Sequence, residues 1–218
     1  MKQVQDVAAD ERGFTLIELL MAIAISAIVL GAVTQVVMVF LRTSDQTTAR
    51  LIESRDAQVT SAYFANDVAA VGTRLFTDPV NPVLKQSVEV GVSNAGGLYP
   101  CGTSGTAAVR LAWDDVTKGP AITDPAVTTV TRAAYSARAT GGTYELRRLL
   151  CKGVSTTPVS DVVIAHDLTV APTVACNVAC SGSGSAVPTT VSMTLISKDG
   201  LSRLAPVTVT LSGQRRQS

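Results

Sequence analysis

From Phe14 to Leu41 the chain runs for 28 residues with a single charged side chain, Glu18. At ~1.5 Å per residue a helix of that length spans ~42 Å, enough to cross a bilayer's ~30 Å hydrocarbon core. A helix here is membrane-resident, with one carboxylate near its start. An acidic side chain within a spanning helix costs roughly 2.5–3.5 kcal/mol at the centre, so Glu18 reads as functional and in need of a partner.

The residues around that carboxylate are Arg12-Gly13-Phe14-Thr15-Leu16-Ile17-Glu18-Leu19-Leu20. Gly-Phe-Thr-Leu-Ile-Glu after a short polar leader resembles the prepilin signal of type IV pilins and type II secretion pseudopilins. The resemblance implies that a prepilin peptidase cuts after Gly13 and methylates Phe14 as the new N-terminus. It also implies that Glu18 pairs with a neighbouring subunit's N-terminus during assembly. The chemistry agrees, because a free amine at Phe14 and a carboxylate at Glu18 are each costly alone in lipid and offset one another together. An ordinary secretory signal fits less well. It needs a basic n-region and a 7–15-residue apolar core before its cleavage site. Here Met1–Arg12 carries Asp6, Asp10 and Glu11, and the apolar run is too long.

Charge leaves orientation open, since Lys2 and Arg12 precede the span while Arg42, Arg50 and Arg55 follow it. The resemblance places Met1–Gly13 in the cytoplasm and the remainder beyond a bacterial inner or cytoplasmic membrane, single-pass, then in a pilus or pseudopilus. The expected organisation is a leader at 1–13, a transmembrane or filament-core half-helix at 14–41, an amphipathic half at 42–75, and an extracytoplasmic β-rich domain at 76–218. The expected fold class is α+β and pilin-like, a long N-terminal helix packed on a C-terminal antiparallel sheet.

Thr43 to Leu75 contains no proline and one glycine, Gly72. Phe64, Val68, Val71 and Leu75 recur at helical spacing, so one helix is expected from about Phe14 to about Gly72. Many major pilins carry a proline in the span. This chain has none before Pro79, which suits a pseudopilin or minor subunit better. Pro79 and Pro82 end the helical region, and Lys85–Gly105 reads as a loop.

The remainder reads as β, with helices before strands implying an antiparallel sheet. Val109, Leu111 and Trp113 alternate with Arg110 and Ala112 as a half-buried strand. Val127–Ala139 and Thr143–Leu150 flank Thr140-Gly141-Gly142 as a hairpin. Val162–Val170 is a further strand. Two alternating runs, at 190–195 and 207–212, form a last hairpin turned by Lys198-Asp199-Gly200. Ser181–Ser185 is a flexible loop.

Cys101, Cys151, Cys176 and Cys180 are the only cysteines. In a domain outside the cytoplasm an even count favours two disulfides, with three connectivities available. Cys176–Cys180 closing a small loop and Cys101–Cys151 pinning the connector to the hairpin are the favoured pairs. A zinc tetrad is the rival, but it usually presents C-x₂-C twice. His166, the single histidine, reads as a packed or surface residue. Asp114-Asp115 lacks the oxygen density calcium requires. Arg147-Arg148 and Arg215-Arg216 read as solvated basic pairs. No cofactor or metal is expected.

A net charge of +1 and 4% aromatic residues offer little field or stacking for nucleic acid. The resemblance makes the chain a non-enzymatic minor pilin or pseudopilin, with prepilin peptidase, other pilin or pseudopilin subunits and the membrane as partners, and no nucleic acid. Two other readings compete. One is a membrane-anchored extracellular enzyme or binding module using 14–41 as a plain anchor. The other is a DNA-binding subunit of a DNA-uptake pilus.

Overall fold

The computed structural model describes residues 15–75, 83–117, 127–181, 186–198 and 205–216. Gly13, Phe14, Pro79, Pro82, Asp199, Gly200 and residues 182–185 lie outside them. The chain divides into two compact units, Met1–Thr48 and Ala49–Ser218. It is an α+β protein in which one long N-terminal helix precedes an antiparallel sheet domain.

Helix α1 covers Leu16–Ala70. Its interior has no proline to break the hydrogen-bond ladder. In the first unit the described residues from Leu16 onward are helical, and their side chains are almost all exposed. In the second unit one face is buried by Thr60, Phe64, Asp67 and Val68. The helix stops at Ala70, earlier than the 42–75 boundary expected for its amphipathic half. Val71 N–H turns back to the Val68 carbonyl at 3.1 Å, and Gly72 N–H goes to Ala112 O at 3.0 Å. Gly72 has φ 140°, a backbone that favours glycine, so the chain leaves the helical path there. Thr73–Leu75 then forms strand β1, paired with β2 at Val83–Lys85.

β3 spans Val88–Ser93, which corrects the reading of Lys85–Gly105 as a loop. Its valines at 88, 90 and 92 alternate as a strand should. Residues 94–105 are irregular but tied down. Glu89 accepts from the N–H of Leu98 at 2.8 Å and of Tyr99 at 3.1 Å, and Cys101 N–H donates to Asn94 O at 2.8 Å.

β4 (Thr106–Thr117), β5 (Val127–Thr140), β6 (Thr143–Lys152), β7 (Ser160–Leu168), β8 (Thr173–Cys176), β9 (Thr190–Ser197) and β10 (Val207–Gln214) complete the sheet. Its order is β10-β9-β7-β6-β5-β4-β3, with β8 also on β9. β5 and β6 meet at Thr140↔Thr143 across Gly141 and Gly142. Both glycines have positive φ, as a two-residue hairpin turn requires. The last hairpin pairs from Ser197↔Val207. Of the expected Lys198-Asp199-Gly200 turn, Lys198 alone lies among the described residues.

The main core joins Phe64 and Val68 of the helix, and Val71 just past its end, to Val109, Leu111, Tyr135, Leu146, Ile164 and Met193 of the sheet. Phe64 and Tyr135 meet edge to face, with ring centroids 5.5 Å apart. β4 is not half-buried as its alternation suggested. Arg110 has no exposure, because the irregular segment 94–105 covers it and Glu89 pairs with it at 3.0 Å.

Candidate functional site: the start of the helix and its uncovered apolar surface

The helix starts at a reciprocal pair of side-chain bonds. Glu18 Oε2 accepts from Thr15 N–H at 3.0 Å and from Thr15 Oγ1 at 2.9 Å. Thr15 Oγ1 accepts in turn from Glu18 N–H at 3.4 Å, and Leu19 N–H donates to Thr15 O at 3.2 Å. Thr15 is thus the N-cap and Glu18 the third helical residue of a capping box, which satisfies N–H groups that a helix start leaves open. Thr-x-x-Glu before an apolar run is a sequence-level sign of this arrangement, and the sequence reading missed it. Among the described residues the carboxylate's bonds are local, and the partners belong to Thr15.

Beyond Glu18 the surface is apolar all round. The large hydrophobic side chains from Leu16 to Leu41 are 48–77% exposed within the chain. Thr34 and Thr43 turn their hydroxyls back to the Leu30 and Val39 carbonyls at 2.7 and 2.9 Å, so neither leaves a donor unsatisfied in an apolar medium. A helix hydrophobic on all sides belongs in lipid or among other helices. By length and composition it is long and apolar enough to cross a membrane.

The other expected site residues lie in the second unit. Two cysteine pairs lie at disulfide distance: Cys101 with Cys151, Sγ atoms 2.07 Å apart, and Cys176 with Cys180, 2.13 Å apart. The first ties the irregular 94–105 segment to β6. Arg132 reinforces that tie by donating to the carbonyls of Pro100, Gly153 and Ser155 at 2.7–2.8 Å. The second pair lies next to β3, where Cys180 O accepts from Gln86 Nε2 at 3.2 Å. Among the described residues no cluster of His, Cys, Asp or Glu is arranged to hold a metal ion.

His166 Nδ1 sits 2.9 Å from Asp56 Oδ2 on the helix. Asp114 Oδ2 accepts from Arg74 N–H at 2.6 Å. Arg148 corrects the reading of 147–148 as a solvated pair. It is 9% exposed and grips Asp67 with two bonds of 2.7 Å, while its carbon Cζ lies 4.9 Å over the Tyr63 ring. Tyr135 OH donates to Asp67 Oδ2 at 2.7 Å. Burial, and then the Asp67 charge, push the Tyr135 phenol well above its usual range, so it remains a donor at neutral pH. Arg147 stays on the surface beside Asp161 at 2.9 Å. Nothing in the dipeptide Arg147-Arg148 separates the two; only a strand's alternation sends one side chain to each face.

Neither the curated proteins nor the solved structures offer a match to this chain. Residues 9–34, which hold the capped helix start and most of the uncovered apolar run, match the family described as the prokaryotic N-terminal methylation motif. The chain carries the type IV prepilin signature at its N-terminus.

Proposed function

We propose that this chain is a structural subunit, a minor pilin or pseudopilin, of a type IV pilus or a type II secretion system. The observation that carries the reading is the motif at 9–34, in register with a helix whose apolar side chains are exposed among the described residues. In this reading prepilin peptidase removes residues 1–13 and the amine of Phe14 is methylated. Residues 14–41 hold the subunit in the membrane and then in the filament core, and the β-rich domain lies outside the cytoplasm as a non-enzymatic building block. The amphipathic half of the helix then runs from 42 to Ala70, with β1 opening the globular domain.

Glu18 is the assembly contact of this reading. The capping box gives the carboxylate neutral donors from Thr15, which lower the cost of holding it in lipid. A neighbour's cationic N-terminus is a stronger partner, because charge-assisted bonds are roughly twice as strong as neutral ones. Assembly therefore has an electrostatic gain to draw on at this atom. The two cysteine pairs suit an oxidising compartment.

Intact-mass analysis of the membrane-extracted protein tests the reading. The expected mass is that of a chain beginning at Phe14 and carrying one methyl group. A chain that still begins at Met1 in cells with an active prepilin peptidase overturns it.

A further inference from the structure

The sheet is unevenly sewn. β9 pairs with β10 from Thr190↔Gln214 to Ser197↔Val207, and β6 pairs with β7 from Tyr144↔Leu168 to Leu150↔Ser160. β7 meets β9 at one pair, Leu168↔Ser197. That junction is backed by Thr169 N–H to Ile196 O at 2.8 Å and Lys198 N–H to Asp167 O at 2.9 Å. Among the described residues no strand pairs with the earlier part of β7 on the edge that β6 leaves free. An unpaired edge inside a sheet exposes backbone donors and acceptors that require partners.

Side chains of α1 supply them. Thr60 Oγ1 donates to Ile164 O at 2.7 Å, and Asp56 Oδ2 accepts from His166 N–H at 2.9 Å. The same oxygen faces His166 Nδ1. One turn earlier, Glu53 accepts from the Ser197 hydroxyl of β9. Four residues of helix rise ~6 Å and two residues of strand ~6.6 Å. Asp56 and Thr60 therefore present an acceptor and a donor at about the repeat of a neighbouring strand. The helix takes a strand's place along β7.

This seam differs from the one that follows it. Thr60, Phe64, Val68 and Val71 are completely buried, whereas the contacts at 53–56 are polar and partly wet, with the His166 side chain 47% and the Asp56 side chain 18% exposed. Hydrogen bonds that water can replace contribute little net stability, so this part of the joint separates more readily than the apolar part.

We propose that residues 53–60 of α1 are a latch. They hold the β8–β9–β10 sector against the β3–β7 sector, and their release opens the sheet between β7 and β9 while Phe64–Val71 keep the helix end in the core. The open state presents Ile164 O and His166 N–H as a free strand edge.

The full chain in detergent micelles tests this, with nitroxides attached through Arg138→Cys on β5 and Thr208→Cys on β10. Pulsed electron resonance should give one distance for the otherwise native chain. Adding Asp56→Ala and Thr60→Val together should bring in a second, longer population. Amide exchange over residues 164–168 should quicken about fivefold to tenfold, the worth of the bonds removed, with Ala133–Tyr135 unchanged. Thr60→Ser, which keeps the hydroxyl, should behave as the native chain. A single unchanged distance overturns the latch. So does equal acceleration throughout β4–β6, which marks general destabilisation.

Discussion

Glu18 and Asp67 are acidic residues on one helix, and the chain provides for them in opposite ways. Asp67 is 4% exposed and its partners, Tyr135 and Arg148, are 68 and 81 residues away. Among the described residues Glu18 bonds to Thr15, three residues away. The apolar neighbours divide in the same way. Around Asp67 they form one buried face, and around Glu18 they are exposed on every side. The difference teaches where each region finds its surroundings. The end of the helix is completed by this chain's own sheet, whereas its beginning is exposed among the described residues and, under the proposed function, meets lipid or neighbouring subunits.

The largest expected effect comes from Glu18→Ala. Under the proposed function, cleavage and the level in the membrane stay as in the native chain, while recovery in sheared filament fractions falls to background. Breaking a buried charge pair from one side costs about 3–5 kcal/mol. The local cap lost with it is worth about 1 kcal/mol. Equal incorporation of the native and substituted subunits breaks the comparison on the Glu18 side.

Asp67→Ala tests the other side. It leaves the Arg148 guanidinium and the Tyr135 hydroxyl without their shared acceptor, a loss of about 3–5 kcal/mol in domain stability. At about 2–4 °C per kcal/mol for a domain of this size, the melting temperature falls by roughly 6–20 °C. Joint replacement by Asp67→Leu and Arg148→Met should cost less than Asp67→Ala alone, because no charge is then stranded. Calorimetry of the three variants gives the order. A loss below about 1 kcal/mol for Asp67→Ala would place this pair with surface ion pairs.

The two regions were unequally legible in the sequence. The helix and its apolar first half follow from an uninterrupted run that needs no tertiary information. Phe64, Val68 and Val71 announce their face by spacing. Asp67 and Arg148 announce nothing, since any carboxylate on a helix and any arginine on a strand look the same before the sheet brings them together. β3 was hidden by its length and by Gly91, and Arg110 by an irregular cover whose path no periodicity encodes. The Thr15–Glu18 cap was legible and was passed over, because the cost of a charge in lipid had already supplied a reason for the glutamate.

The cysteine pairs sharpen the comparison within the second unit, where stabilisation depends on the length of chain each closes. Cys101 and Cys151 are separated by 50 residues and Cys176 and Cys180 by 4. Loop-closure entropy gives about 4 kcal/mol for the first and about 2 kcal/mol for the second. Paired serine substitutions should therefore lower the denaturant midpoint about twice as far at 101 and 151 as at 176 and 180. Non-reducing peptide mapping of the native chain should recover both linkages, and four alkylatable thiols would break this expectation.

The smallest effect is the most discriminating, since it makes one chemical change at two points of one helix. Val68 is completely buried against the sheet, and Val33 is 53% exposed within the chain. Val68→Ala removes two methylene equivalents, about 1.6 kcal/mol of transfer free energy. A cavity contribution is added, because Gly213 lies so close that a side chain there would collide with Val68. A loss of about 2 kcal/mol in domain unfolding is expected. Val33→Ala removes the same atoms from a side chain that is exposed within the chain, so the domain's unfolding free energy should stay within about 0.5 kcal/mol of native. Chemical denaturation of both variants in the same detergent decides the matter. Equal losses at the two positions would mean that the first half of the helix is held by the domain after all. A loss at Val68 alone leaves the surface of residues 16–41 free for a partner outside the chain.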